Sequence, residues 1–415
     1  MGFIIKGTKQ YLKNNLLNNW NKRNPKKEMD KIQPNYIISG RIRTVDPYFQ
    51  TITTTVKARW SKRTVLDIFS SEFRSFTPAE YKKRLENEEI IVIHPIKLSK
   101  KEKRSMKEGS AKENKKIIKY PEIMDHKLIG NDVIQRIEHI HERSIFGVEK
   151  DNLEVVFEDD NILVVNKPSG IPIHPVQNYY YNSLVKILEN EGWPNEKPRI
   201  GELILRPCYR LDKLTSGVCI LAKNTETARK IQMDIQNRDV EKVYLARVKG
   251  KFPEGKTRCD HDIIILDTKK GKVDGITRKP AETIFELVSY NKELDQSIIR
   301  CFPKTGRTHQ IRIHLRNLQH PIMNDPLYGN GKLMELKDGA DYKEISEDYF
   351  DIISKQAEDN RVEAESNEIC QTCDAKLYKQ QKPEDMVMYL HAYKYKLNHV
   401  GGWEFETKLP DWCSI

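Results

Sequence analysis

Arg206-Pro207-Cys208-Tyr209-Arg210-Leu211-Asp212-Lys213-Leu214-Thr215-Ser216-Gly217-Val218-Cys219-Ile220-Leu221-Ala222-Lys223 is the stretch on which the reading of this chain turns. Its first half is polar and charged. Its second half is an apolar run of strand length, entered through Ser216-Gly217, where the glycine allows a tight turn. Arg210 and Asp212 are two apart, so in extended chain both side chains project from one face. A carboxylate beside a guanidinium stays ionised, and an ionised carboxylate can act as nucleophile or base. Read alone, an Arg-x-Asp pair is more often an ordinary surface ion pair.

Two later segments have the same mixture of core and charge. In Lys242-Val243-Tyr244-Leu245-Ala246-Arg247-Val248-Lys249-Gly250 the pattern alternates as in a strand, with Tyr244, Ala246 and Val248 on one face. A tyrosine there can stack on a nucleobase while its hydroxyl still hydrogen-bonds, although core packing is the commoner use. In Thr305-Gly306-Arg307-Thr308-His309-Gln310-Ile311-Arg312-Ile313-His314-Leu315-Arg316, Thr308 reads as the N-cap of a helix. Ile311, Leu315 and Leu318 fall on a buried face, and Arg312 and Arg316 lie one turn apart beside it. Such arginines can hold phosphates or a catalytic carboxylate, and the competing reading is a plain amphipathic surface helix.

The whole chain has 415 residues and a formal charge of +11, with 32% charged residues against a usual ~25%. That excess points to solvated segments added to a core of normal kind. No apolar run approaches the ~18 residues of a membrane span. Seven cysteines, an odd and mostly scattered set, do not make a disulfide framework and suit a reducing compartment. Residues 1–27 hold seven Lys or Arg and no acid, and Leu12, Leu16, Leu17 and Trp20 form an apolar stripe. That stretch reads either as a mitochondrial presequence or as a solvated basic tail.

Further along, Val65, Leu66, Ile68, Phe69 and Phe73 recur at helix spacing. Thr77, Pro78 and Glu80 predict a second helix opened by a capping box. Residues 90–93 read as a strand. Residues 97–119 carry ten bases and three acids, a net of +7, and 335–366 carry eleven acids and four bases, a net of −7. The first reads as a disordered loop with little to bury, the second as a surface insertion or a partly helical excursion. They cancel, so the positive excess belongs to the rest of the chain, and an anionic partner is expected across the small domain and Arg210, Arg307, Arg312 and Arg316. Cys370-Gln371-Thr372-Cys373 is half of a zinc knuckle, but there is no second C-x-x-C. A zinc there would need His391, Cys413 or other distant ligands, and an unliganded pair is preferred. His139-Ile140-His141-Glu142 lacks the spacing of a zinc protease helix, and no phosphate loop or dinucleotide fingerprint appears.

Taken together, the segments resemble the RluA-type RNA pseudouridine synthases. The resemblance rests on Tyr209-Arg210-Leu211-Asp212 with Thr215-Ser216-Gly217, on 242–250, and on 305–314 followed by Pro321-Ile322-Met323-Asn324-Asp325-Pro326-Leu327-Tyr328-Gly329. Asn166-Lys167-Pro168-Ser169-Gly170 with His174-Pro175 precedes them, and Leu390-His391-Ala392 follows, all in the family's order. Residues 56–142 look like a small S4-type RNA-binding domain. Their ending resembles fungal enzymes that make pseudouridine-32 in the tRNA anticodon loop.

This resemblance implies an α+β fold: a catalytic domain with a bent, mixed, mainly antiparallel sheet, preceded by a small S4-like α/β domain. The expected division is a basic extension at 1–35, the S4-like domain at 36–145 with its insertion at 97–119, and the catalytic domain at 146–415 with an acidic insertion at about 331–383. It implies isomerisation of uridine in RNA, most of all tRNA, with no cofactor and no metal. Asp212 is the catalytic aspartate, Tyr244 stacks on the uracil and Arg312 pairs with Asp212, with Arg307 beside it. Arg210 enters the RNA as the target flips, and Thr215 and Arg316 complete the RNA contacts. Tyr209 stands where the family has His and Asn324 where it commonly has Gly; the first is expected to alter RNA contacts and the second only a turn. A monomer in mitochondrion or cytoplasm, away from any membrane, is expected. The alternatives are a non-catalytic S4-containing RNA-binding protein and a synthase acting on ribosomal RNA.

Overall fold

The computed structural model describes residues 33–73, 76–95, 115–147, 152–176, 178–198, 201, 203–269, 272–329, 364–398 and 401–414. The basic stretch at 1–27, most of the basic insertion and most of the acidic one lie outside these. Among the described residues the chain forms two compact units, Pro47–Ile140, and Gln33–Asp46 together with His141–Ile415. No described helix is long and apolar enough to cross a membrane.

Residues 36–46, which the sequence places with the small domain, group with the larger unit. There β1 (Tyr36–Ser39) and β2 (Ile42–Val45) form a hairpin that pairs onward with Ile145–Phe146, the later β7. Arg43 fixes it. Its buried guanidinium donates to Glu191 at 2.8 Å and lies 4.6 Å from the centre of the Tyr36 ring.

The smaller unit is an antiparallel sheet carrying two helices. Its strands are β3 (Tyr48–Thr55), β4 (Ile90–Pro95), β5 (Lys115–Ile118) and β6 (Val133–Ile140), in the order β3-β6-β4-β5. Both expected helices form, and the second starts where the sequence predicts. The Thr64 hydroxyl accepts the Asp67 N–H to open α1 (Val65–Glu72). In α2 (Pro78–Glu86) Thr77 and Glu80 form the reciprocal capping box, with Pro78 at the first helical position. The apolar face Val65, Ile68, Phe69, Tyr81 and Leu85 packs on Trp60, Ile90, Val92 and Ile134.

The larger unit continues through β8 (Val155–Glu158), β9 (Ile162–Lys167), α3 (Leu184–Glu191), β10 (Arg206–Pro207), β11 (Ser216–Ala222) and α4 (Thr225–Asn237). Then follow β12 (Val240–Lys249), β13 (Lys256–Cys259), β14 (Ile263–Lys269), β15 (Lys272–Lys279), β16 (Thr283–Asn291), β17 (Gln296–Pro303) and α5 (Gln310–Asn317). The last strands are β18 (Glu365–Ile369), β19 (Lys376–Tyr378), β20 (Leu390–Leu397) and β21 (Glu404–Glu406). The main sheet runs β13-β16-β17-β12-β20-β11-β9-β8, with β10 and β21 attached at its side. The pairing of β11 with β20 is parallel and the other pairings are antiparallel, so the fold is α+β with a mixed, mainly antiparallel sheet.

The sheet's middle is covered on both faces, which explains why β11 reads as unbroken apolar chain. Cys219 and Leu221 pack with Leu184, Val185 and Leu188 of α3, while Val218, Ile220 and Ala222 pack with Ala228 and Ile231 of α4. Farther along, Ala246 and Val248 of β12 meet Ile311 and Leu315 of α5. At the parallel crossing Gly217 has φ +111°, and a Cβ there would come within 2.2 Å of the Ala392 carbonyl oxygen. Only glycine lets β11 and β20 approach so closely.

Candidate active site

The loop between β10 and β11 carries Asp212, and its shape is fixed from behind. Lys167, wholly buried at the end of β9, donates to the carbonyl oxygens of Pro168, Ile171 and Lys213 at 2.8, 2.9 and 3.1 Å. Burial lowers its pKa to about 7, and the nearby Cys219 and Asp212 work the other way. Ser169 donates to the Leu214 carbonyl and accepts the Met388 N–H. The Thr215 N–H closes back on the Asp212 carbonyl at 3.1 Å. The 166–170 motif and Thr215 therefore build the loop; Thr215 is only 2% exposed.

From the front, Asp212 meets Arg312. Nη1 of Arg312 donates to Asp212 Oδ2 at 2.9 Å, while Nε and Nη2 grip both oxygens of Asp325 at 2.6 and 2.8 Å. Burial works against the guanidinium's charge, but Asp325 and then Asp212 more than compensate and push its pKa well above the ordinary arginine value. Asp325 is itself held, accepting the N–H groups of Leu327 and Tyr328 at 2.9 and 3.1 Å. The side chains of Arg312 and Asp325 are 4% and 0% exposed, whereas that of Asp212 is 27% exposed. Asp212 is thus the solvent-facing end of a buried Asp-Arg-Asp chain.

His309 completes the surround, and the sequence reading missed it. The helix opens at His309 in a left-handed conformation, φ 54°, not at Thr308 as expected. No side chain caps it there. Instead the Gln310 Oε1 accepts from the Thr305 hydroxyl and the Arg307 N–H, tying down the turn. The unusual backbone aims the imidazole: Nε2 stands 3.7 Å from Asp212 Oδ2, and Nδ1 hydrogen-bonds the Tyr328 hydroxyl at 3.0 Å. Burial lowers the His309 pKa, opposed by Asp212 and reinforced by Arg312.

Tyr244 sits on β12 opposite Cys301, beside a bulge at Val243/Tyr244 that re-aims it relative to β20. It is half-buried between two core clusters. Burial, and next the charge of Asp212, push its phenol pKa well up, so it presents a neutral aromatic face. Arg210 is exposed, and its charge helps depress His174 and His309. The remaining arginines are not gathered at Asp212. Arg307 Nε donates to the Pro280 carbonyl at 3.1 Å. Arg316 donates twice to Asn317 Oδ1 and lies 5.5 Å from the centre of the Tyr328 ring.

Both departures from the family pattern turn out to be packing residues. Tyr209 stacks on Tyr395 with centroids 4.5 Å apart and donates to the Val218 carbonyl at 2.8 Å. Asn324 bridges two chain segments, donating to the Val387 carbonyl and accepting the Tyr389 N–H, each at 2.8 Å, which is more than a turn adjustment. His391 lies between the Ser216 and Thr407 hydroxyls at 2.8 and 2.7 Å, so it is already engaged in the core.

A model of the RNA pseudouridylate synthase family matches residues 161–317. The mitochondrial tRNA pseudouridine(32) synthase of Saccharomyces cerevisiae is 31% identical over 416 residues, covering 94% of this chain and 81% of that one. The tRNA pseudouridine(31) synthase of the same yeast is 30% identical over 424 residues, covering 90% and 96%. Human pseudouridylate synthase RPUSD2 is 34% identical over 300 residues, 72% of this chain and 48% of its own.

Proposed function

Since the chain belongs to the RNA pseudouridylate synthase family, we propose that it isomerises a uridine of the tRNA anticodon loop, with Asp212 as the catalytic carboxylate. The observation that carries this reading is the buried Arg312 that is committed to Asp325 and presents its remaining edge to a partly exposed Asp212. The reaction breaks the C1′–N1 bond of uridine and forms a C1′–C5 bond. The C5 proton is lost and N1 gains one, so nothing is oxidised, hydrolysed or consumed.

The residues divide the work. Arg312 and His309 both address Oδ2 of Asp212, which leaves Oδ1 to act on the sugar or base. A neutral Tyr244 ring stacks on the uracil and offsets the few kcal/mol lost when the base leaves its helix. Arg210, exposed beside Asp212 in the chain, takes the place vacated in the RNA. The names of the two yeast relatives support tRNA and leave positions 31 and 32 as the two choices; we favour 32. The smaller unit serves as an S4-like RNA clamp in this reading. The mitochondrial relative, together with the basic stretch at 1–27, supports mitochondrial rather than cytoplasmic residence.

The test is Asp212→Ala with anticodon-loop transcripts: release of the C5 proton must cease while RNA retention on a filter persists. Chemical mapping of pseudouridine at positions 31 and 32 then decides the site. Activity surviving in the variant would remove Asp212 from the mechanism. An unmodified anticodon loop alongside modified ribosomal RNA would overturn the tRNA assignment.

A further inference from the structure

Cys370 and Cys373 occupy the turn of the β18–β19 hairpin, whose strands pair Glu365 with Tyr378 and Ile369 with Lys376. The turn is folded around a sulfur. The Thr372 N–H donates to Cys370 Sγ at 3.3 Å, a bond that favours a thiolate. The backbone closes through Cys370 N–H to the Ala375 carbonyl and Asp374 N–H to the Cys370 carbonyl, both 2.9 Å, with Asp374 at φ 59°. No cysteine of the chain is in a disulfide.

The partner of this pair is His141, not the distant His391 or Cys413 considered from the sequence. His141 Nε2 lies 3.4 Å from Cys373 Sγ, and the ligand atoms of His141, Cys370 and Cys373 all fall within 4.8 Å of one another. Zinc bonds of about 2.3 Å to sulfur and 2.0–2.1 Å to nitrogen put tetrahedral ligand atoms roughly 3.6–3.8 Å apart, close to this spacing. All three residues are half-buried.

We propose that His141, Cys370 and Cys373 bind a structural Zn²⁺ ion. Two thiolates and an imidazole are donor types that recur in structural zinc sites. The ion would staple the hairpin to the segment that follows His141. At that join Arg143 lies 4.9 Å from the centre of the Tyr378 ring, and the Gln381 N–H donates to the Ser144 hydroxyl at 3.3 Å. It ends next to the active site, because Gln381 Oε1 accepts from Lys213, the neighbour of Asp212, at 2.8 Å. Glu142, between the two sides, is already taken by the Tyr181 and Asn182 N–H groups at 2.8 Å each.

The experiment uses the full chain purified under reducing conditions without chelator. Elemental analysis should find about one zinc per chain. Replacement by Co²⁺ should give the absorption of a tetrahedral site with a sulfur-to-metal charge-transfer band. The Cys370→Ser/Cys373→Ser double variant should lose the metal, His141→Ala should weaken its retention against a chelating dye by at least about tenfold, and Cys413→Ser should retain it. Wild-type protein that stays metal-free after added Zn²⁺ and shows no charge-transfer band with Co²⁺ would overturn the proposal without any variant. So would a Cys370–Cys373 disulfide that, once reduced, still takes up no metal.

Discussion

Asp325→Asn and Asp212→Asn remove the same charge from the two ends of one chain of ion pairs, and they should fail differently. Asp325 is fully buried and takes two of Arg312's three carboxylate bonds, at 2.6 and 2.8 Å. Its replacement by an amide turns one N–H group against the guanidinium and leaves a buried cation half-compensated. Breaking a buried pair from one side costs about 3–5 kcal/mol. At about 2–4 °C of Tm per kcal/mol for a domain of this class, the midpoint should fall by roughly 6–20 °C. The freed Arg312 also no longer holds Asp212 in place, and a misplacement of about 1 Å costs about 10²-fold in kcat/KM. Asp212 is 27% exposed and takes a single arginine bond. Its Asn variant should therefore lose about 1 kcal/mol or less of stability, while its activity falls to background. Calorimetry of both variants beside a tritium-release assay on tRNA transcripts separates the two patterns. If Asp325→Asn melts with the wild type, or Asp212→Asn is the more destabilised, the reasoning from burial is wrong.

His391 carries a pH prediction. Burial, helped by Lys167, lowers its pKa to about 4 from an ordinary 6.5, so the unfolded chain takes up the proton first as pH falls. Stability must drop between pH 6.5 and 4 by about 3 kcal/mol from this group and lose nothing further to it below pH 4; denaturant titrations of wild type and His391→Asn should converge by that amount, and parallel pH profiles would refute it. Gly217→Ala, with its Cβ 2.2 Å from the Ala392 carbonyl oxygen, should yield no soluble folded protein, and normal expression would show that β11 and β20 can part. Thr77→Ala removes one half of the capping box at α2 and should cost about 0.5–2 kcal/mol, read as faster amide exchange over Pro78–Glu86 and restored by Thr77→Ser.

Local patterns were the legible part of this fold. The apolar spacing of α1, the cap of α2, the apolar β11 and the alternating β12 all follow from residues within one element, where period and cap chemistry act directly. The joining of Asp212 to Arg312 was reachable only through the order of motifs, since the two are 100 residues apart. What no local pattern exposes is how a charge is satisfied at a distance. Asp325 falls in an irregular stretch and no sequence reading singled it out, yet it is the main anchor of Arg312. The N-cap rule placed the start of α5 at Thr308 because hydroxyls usually cap, whereas here Gln310 supplies the bonds and His309 is released to face Asp212. The histidine beside the C-x-x-C pair was hidden for the same reason: it lies 232 residues away.

The two grips on the Asp212 loop have a common consequence. Arg312 is bound to Asp325 through both Nε and Nη2, and Lys167 holds three carbonyl groups, one of them that of Lys213 directly after Asp212. Neither side chain can swing out to meet a phosphate without leaving a buried partner unpaired in apolar surroundings, at a cost far above the gain from a screened surface contact. Both are therefore fixed parts of the site, and the field at Asp212 is in place before RNA arrives. Recognition of the backbone must then fall to cations outside this pair, of which Arg210 is the exposed one nearest to Asp212 in the chain. Substitution of Arg210 should accordingly raise KM for RNA and substitution of Arg312 should lower kcat, a division of labour that neither net charge nor the clustering of arginines in the sequence would indicate.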